Sequence, residues 1–320
     1  MAERIQSRRS LVAPAALACL LVAGFAGDGC SVRRYALNQV SNAVAKSGSA
    51  YASDDDPELI KAAAPFGLKL TESLLEENPR HIGLLTSAAS GFTQYAYAFV
   101  QQDADEMEDR DLAAAEAMRA RAKRLYLRAR NYGLRGLEAK HPGFEPALRQ
   151  DPKAAVQAAK VTDVPLLYWT AVSWGAAISL SKDDPNLVAD IPVLEALIDR
   201  ALELDERYGD GAIHSFLITY EMSRQGLKGD PAERSRKHFE RAMELARGSQ
   251  AGPLVAYAEA VCAQKQQVKD FESLLNQALA LDVNVHPDNR LVNLVMQRRA
   301  RWLLSKKSDL FLLPETPANP

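Results

Sequence analysis

The chain has 320 residues, 47% apolar and 25% charged, with a formal net charge of −2. This leaves room for one large or two ordinary globular domains and excludes a disordered or collagen-like chain. The near-neutral balance gives no global field for nucleic acid or anionic lipid.

Arg4, Arg8 and Arg9 precede an apolar run from Leu11 to Phe25, broken by Pro14, and Gly27-Asp28-Gly29 stand before Cys30. A run of about fifteen residues suits the apolar core of a signal peptide better than a membrane span, which needs roughly 20. Small residues before a cysteine resemble a bacterial lipobox, with Gly27 where leucine is usual. That resemblance implies acylation of Cys30 as the mature N-terminus. Ser7-Arg8-Arg9-Ser10-Leu11 also resembles a twin-arginine export signal. The alternative is an ordinary cleaved signal, with Cys30 left as a thiol. Cys19 leaves with the signal and an acylated Cys30 leaves Cys262 alone, so no internal disulfide is expected. Val261-Cys262-Ala263 instead places the thiol in an apolar helix as a small buried hydrophobe. Residues 30–56 read as a lipid-anchor tether or short helix, ending in the helix-start signal Ser53-Asp54-Asp55-Asp56-Pro57.

The first clear helix is Pro57 to Glu77, stopped by Asn78-Pro79, because the residue before proline avoids the α region. Ile82 to Gln102 follows, apolar nearly all round, with Ala88, Ala89 and Gly91 permitting close approach. The acidic run Asp103, Asp105, Glu106, Glu108, Asp109 and Asp111 lacks the glycine and terminal glutamate of a calcium loop. It is read as the solvated start of the next helix. That helix, Leu112 to Lys140, is basic at Arg119, Arg121, Lys123, Arg124, Arg128, Arg130 and Arg135. Intramolecular pairing or a solvated face is the simplest reading, with anionic headgroups as the alternative. After a connector with one short helix comes Pro165 to Ser181, which carries no charge and holds Trp169 and Trp174. A helix apolar all round and too short to span a membrane belongs in a core. Its other reading is the wall of a ligand cavity lined by Tyr95, Tyr97, Tyr168, Trp169 and Trp174.

Leu194, Leu197, Ile198, Ala201 and Leu202 share one stripe of a helix running to Tyr208. Phe271, Leu274, Leu275, Ala278 and Leu279 repeat the offsets, as do Gly67, Leu70, Thr71, Leu74 and Leu75. Five such side chains represent on the order of 10 kcal/mol of burial, realised only against neighbouring helices. Gly211 to Arg224 is expected to pair with Pro231 to Arg247, and Pro253 to Gln264 with Val268 to Leu281. A last helix, Asp288 to Lys306, is basic at Arg298, Arg299, Arg301, Lys306 and Lys307. Fixed-offset helices that each need a neighbour predict an all-α chain of degenerate, tetratricopeptide-like hairpin repeats over 57–306, with a tail over 307–320 that is disordered from Pro314. Arg298 and Arg301 join the five aromatic residues as a candidate ligand or partner surface.

Phosphate-loop, dinucleotide, nucleophile-elbow and His-Glu-x-x-His motifs are absent, so no catalytic residue, metal or cofactor is assigned. His81, His141 and His286 stand at helix ends, where capping or turn chemistry is expected. His214 is expected as a hydrogen-bonded core residue.

Ala201-Leu-Glu-Leu-Asp205-Glu206 resembles the close of a tetratricopeptide repeat, with Glu206 for the usual proline. Val255, Ala258, Phe271, Leu275 and Ala278 occupy signature positions of one unit, with Glu259 and Cys262 departing from it. More specifically, Phe92-Thr-Gln-Tyr-Ala-Tyr-Ala-Phe99, Leu167-Tyr-Trp-Thr170, Trp174-Gly-Ala-Ala177, Ser181-Lys-Asp-Asp-Pro185, His238-Phe-Glu-Arg-Ala242 and Gln297-Arg-Arg-Ala-Arg-Trp302 resemble the tetratricopeptide lipoproteins associated with tripartite (TRAP) transporters, the T-component family. The resemblance implies a bacterial periplasmic lipoprotein of stacked repeats, held to the membrane by its N-terminal lipid and partnered with a TRAP solute-binding receptor. It also implies a homotrimer and, loosely, the handover of small solutes. A generic envelope scaffold and an apolar-ligand carrier are the alternatives.

Overall fold

The computed structural model describes residues 38–45 and 48–312. The signal peptide, Cys30 and the tail from Pro314 lie outside the described residues. The structure is 79% helical, with no strand among the described residues.

Residues 38–45 form α1. Then come α2 (Gly48–Ala52), α3 (Pro57–Glu77) and α4 (Ile82–Ala96). A π-helical turn, Tyr97–Gln101, carries α4 directly into α5 (Gln102–Met107). After α6 (Leu112–Lys140), the connector holds α7 (Phe144–Gln150) and α8 (Pro152–Ala155). The apolar helix is α9 (Val164–Ser179), followed by α10 (Pro185–Val188) and α11 (Ile191–Leu204). The C-terminal half comprises α12 (Ala212–Tyr220), α13 (Pro231–Ala246), α14 (Gly252–Tyr257), α15 (Val268–Ala280), α16 (Arg290–Ser305) and α17 (Lys307–Leu310). A second π-turn, Ala258–Cys262, extends α14.

The helix starts are chemically marked. Asp56, Asp111, Asp151, Asp184 and Asp230 each accept a backbone N–H of the first turn that they cap, and His81 Nδ1 does the same for Leu84. Side-chain oxygens at this position satisfy donors that the helix cannot.

Helices that follow one another pack on one another: α3 on α4, α4 on α6, α6 on α9 and α9 on α11, then α12 on α13 and α14, α14 on α15, and α15 on α16. The largest core cluster gathers around α9 and α11 and buries Leu194, Leu197, Ile198 and Ala201 completely. In the C-terminal cluster Phe271, Leu275 and Ala278 are likewise buried, as is Cys262, whose thiol is pushed up to about 11 by burial. Phe311 caps this cluster against Phe271, at 4.9 Å between ring centroids, so packing continues past the boundary expected at 306. At the other end, Tyr51 of α2 joins a cluster with Ile60 and Val295, inside the stretch read as tether.

One predicted stripe is turned. On α3 the buried positions are Ile60, Thr71, Glu72 and Leu75, while Leu70 faces solvent. The repeat offset correctly marks the helix, but Glu72 takes an inward position because Arg128 and Tyr132 of α6 bind its carboxylate. Those bonds hold the Glu72 carboxyl below its ordinary range against the opposing cost of burial.

The close approach of α6 and α9 depends on Gly133 and Gly136. A Cβ on Gly133 would lie 2.0 Å from Thr170 Oγ1 and 3.3 Å from its Cα, and one on Gly136 would lie 2.5 Å from Leu166 Cδ2. Gly133→Leu is therefore expected to lower the unfolding free energy by about 3 kcal/mol in urea titrations, outweighing the gain of roughly 1 kcal/mol in helix propensity. An unchanged midpoint would show that α9 tolerates displacement.

Candidate functional site

The sequence-predicted residues divide into two groups. Tyr168, Trp169 and Trp174 all lie on α9 in the largest core cluster. Tyr168 packs edge-on to Trp169 (4.9 Å) and against Tyr208 (5.3 Å), and burial pushes its phenol well up. Trp174 is buried beneath the Arg130 guanidinium, 4.7 Å from its ring. Tyr95 and Tyr97 stand beside the first π-turn. Tyr95 packs on Phe99 beneath Arg121, and Tyr97 reaches the C-terminal cluster, its hydroxyl 3.9 Å from Met296 Sδ. Among the described residues no ring contact joins the two groups. Arg298 is drawn into ion pairs, whereas Arg301 is exposed.

The acidic run corrects its sequence reading. Asp103, Asp105 and Glu106 do not begin α6; they lie inside α5, where the π-turn rotates them toward the C-terminal helix. Arg298 of α16 donates to Asp103 and Glu106, both at 2.7 Å, and Arg299 pairs with Asp105 at 2.8 Å and with Glu259. Lys61 of α3 reaches Asp103 at 2.7 Å, Arg119 reaches Asp105 at 3.0 Å, and Lys306 pairs with Asp109. Asp111 alone keeps the helix-start role, as the cap of α6. Arg299 is buried, lies 4.2 Å over the Trp302 ring, and touches both π-turn regions. Beside it, burial and Glu259 push the Tyr97 phenol up to about 12. This seam ties the last long helix to the first ones. Pairing across 194 positions leaves no local sequence signal.

Two histidines that stand 24 positions apart meet at the contact of α12 and α13, with His214 Nδ1 2.8 Å from His238 Nδ1. His214 Nε2 lies 3.4 Å from Glu206 Oε2. Facing nitrogens at this separation share one proton: His214 donates from Nε2 and accepts at Nδ1 from His238. Nearby, a cleft of about 640 Å³ opens between the turn before α12, the end of α13 and the loop before α16. Arg207, Arg241, Arg247, Asp210 and Glu244 line it. Asp210 holds a left-handed backbone (φ 53°) between Gly209 and Gly211, a conformation that costs a non-glycine residue strain.

Such an arrangement defines a class: an all-helical protein whose buried polar groups hold helices together and whose outer faces remain for contact. The chain belongs to the TRAP transporter T-component family, whose description matches residues 53–311. It is also 28% identical over 312 residues to an uncharacterised protein of Treponema pallidum (strain Nichols), covering 92% of this chain and 95% of that one. The family is a transporter component and not an enzyme family.

Arg299→Leu leaves Asp105 with Arg119 alone and takes from Glu259 its Arg299 partner, and is expected to cost about 2 kcal/mol through the lost charge-assisted hydrogen bonds. Exposed Arg301→Ala should stay within about 0.5 kcal/mol. Equal melting temperatures for the two variants would contradict the role of the seam.

Desolvation is the main cause that lowers both histidines from 6.5, His238 to about 4, aided there by the neighbouring His214. Arg224 and Arg241 add to this, while Glu206, Glu221 and Asp199 oppose it. The unfolded chain then binds more protons below pH 6.5, so this stability is complete above 6.5 and is lost as pH falls toward 4. The lowered carboxylates Glu72, Asp163 and Glu206 act below about 4.5 and leave the upper window to the histidines. Urea midpoints between pH 7 and 5 should fall in the wild type and flatten in His238→Gln.

Proposed function

We infer that the protein is exported, acylated on Cys30 and held at a bacterial membrane facing the periplasm, where it docks the solute-binding receptor of a TRAP transporter and assists handover of small solutes. It does so as a homotrimer, in line with the family resemblance. The observation that carries this reading is the family match over 53–311, which covers nearly every described helix. Among the described residues no helix is long and apolar enough to cross a membrane, so the N-terminal lipid is the anchor in this reading. Two or more acyl chains on Cys30 would fix the protein to a membrane, since one chain alone binds only marginally.

Docking also fits the distribution of polar groups. The seam engages Arg298 and Arg299 internally. Receptor contact therefore falls to exposed positions such as Arg301 and to the cleft beside Arg207.

Intact protein isolated from membranes should carry an acylated residue 30 by mass spectrometry, and Cys30→Ser should abolish that modification and release the chain from the membrane fraction. Crosslinking of the tagged chain in the envelope should capture a periplasmic solute-binding protein, and native mass spectrometry should give three copies. An unmodified Cys30 ends the anchoring role, and crosslinking without any such receptor ends the docking role.

A further inference from the structure

The long helix α6 carries more positive charge than its fold uses. At 100° per residue, Arg121, Arg124, Arg128 and Arg135 fall within an arc of about 60°, along roughly 21 Å of helix. Among the described residues, Arg128 is the only one of the four in an ion pair, with Glu72. Arg121 lies over the Tyr95 ring (5.8 Å), Arg128 over Phe92 (5.1 Å) and Arg135 over Tyr132 (5.2 Å). Arg135 also donates to the Pro79 carbonyl at 3.3 Å. Glu138, on the last turns of α6, is engaged by the N–H groups of Gly143 and Glu145. Like charges one turn apart destabilise a helix, so this ladder favours an external anion. The rings hold the guanidinium groups of Arg121, Arg128 and Arg135, so these three have less freedom to lose on contact.

A second, apolar feature lies beside it. On α3, Phe66 is 75% exposed, Leu59 56% and Leu70 39%. These three share the side opposite the buried Ile60, Thr71 and Leu75. Lys69, largely exposed and paired with Glu72 at 2.8 Å, stands between this stripe and the ladder. An exposed aromatic residue with leucines beside a row of cations has the chemistry of a protein that lies on a lipid surface.

The chain also enters the fold at this place. Asn78 donates to Asn38 at 2.7 Å, just after α3, and Arg80 donates to the Ala139 carbonyl at the end of α6. Asn38 stands eight positions after Cys30, a reach of at most about 28 Å. An anchor at Cys30 would hold this end of the molecule near the membrane.

We propose that the Arg121–Arg124–Arg128–Arg135 ladder of α6 and the Leu59–Phe66–Leu70 stripe of α3 form a docking face for anionic phospholipid headgroups. The face adds a non-covalent contact that would orient the anchored molecule on the bilayer, and it rests on the reading that the protein works at a membrane.

The test uses residues 31–320, which retain every described helix and all five apolar clusters and carry no acylated cysteine. Co-sedimentation is measured with vesicles of phosphatidylcholine containing 30 mol% phosphatidylglycerol (about the content of an anionic leaflet) and with pure phosphatidylcholine. Binding is expected to the anionic vesicles at least about ten-fold over the neutral ones, and to vanish near 0.5 M salt. Arg121→Gln/Arg124→Gln/Arg135→Gln should weaken it roughly a hundred-fold, at about a factor of five per charge. Phe66→Ser should weaken it several-fold. All these positions are exposed or lie on the surface, so melting temperatures serve as the fold control. A charge-matched variant, Lys153→Gln/Lys182→Gln/Lys237→Gln, should bind as the wild type does. The proposal is overturned by equal binding to both vesicles, or by equal loss in the charge-matched variant. It is also overturned if a photo-crosslinker at position 124 captures a protein while vesicles are not bound. Receptor capture and the mass of residue 30 are read separately, so failure there leaves the vesicle result standing.

Discussion

Each amphipathic helix in this chain hides one apolar stripe against its neighbours, and a row of such helices has two unfinished ends. The chain resolves that constraint by laying its last long helix across its first ones. Arg299 is the joint. It is buried, and it reaches Asp105 beyond the first π-turn and Glu259 inside the second. The seam combines this buried charge with a small apolar cluster of Ile60, Phe99 and Val295. Burying charge is costly, so the pairing adds modest net stability; its larger effect is to penalise any arrangement that separates the partners. Val295 and Leu291 could slide along an apolar surface, but Arg298 and Arg299 fix the register at Asp103, Glu106 and Asp105.

Both π-turns serve that joint. A π-turn inserts an extra residue into a helix and rotates everything beyond it. After Tyr97–Gln101, the acids of α5 turn toward α16 while α4 keeps its contact with α6. At Ala258–Cys262 the second turn brings Glu259 to the same arginine and leaves Cys262 in the core.

Local punctuation carried most of the fold. Asp56-Pro57 and Asn78-Pro79 bound α3, and Asp111 and His141-Pro142 bound α6, because capping oxygens and proline act on adjacent backbone. The stripe of α11 was equally legible, since four of its five members are fully buried. What failed was long-range. The acidic run borders a helix start in sequence, yet its partners lie some 190 positions away. Leu70 obeys the repeat offset and still faces outward, because Arg128 and Tyr132 draw Glu72 inward. His214 was placed in the core, but His238 opposite it has no local mark. The aromatic residues of α9 and of the first π-turn were grouped by composition, and composition says nothing about which side of a helix a ring takes.

The net charge of −2 conceals a division of labour. Acids gather in the seam, where arginines and lysines of α3, α6 and α16 neutralise them. Among the described residues, two arginines of α6, Arg121 and Arg135, meet only rings, a hydroxyl and a backbone carbonyl. In the proposed reading, a lipid on Cys30 would fix position but not orientation. A rigid cationic face near the tether would fix orientation too, by adding a second, non-covalent point of attachment. The cleft between the end of α13 and the start of α16 is lined by residues outside α3 and α6. Under the proposed reading, anchoring and docking would fall on different helices, so each surface could keep its own chemistry.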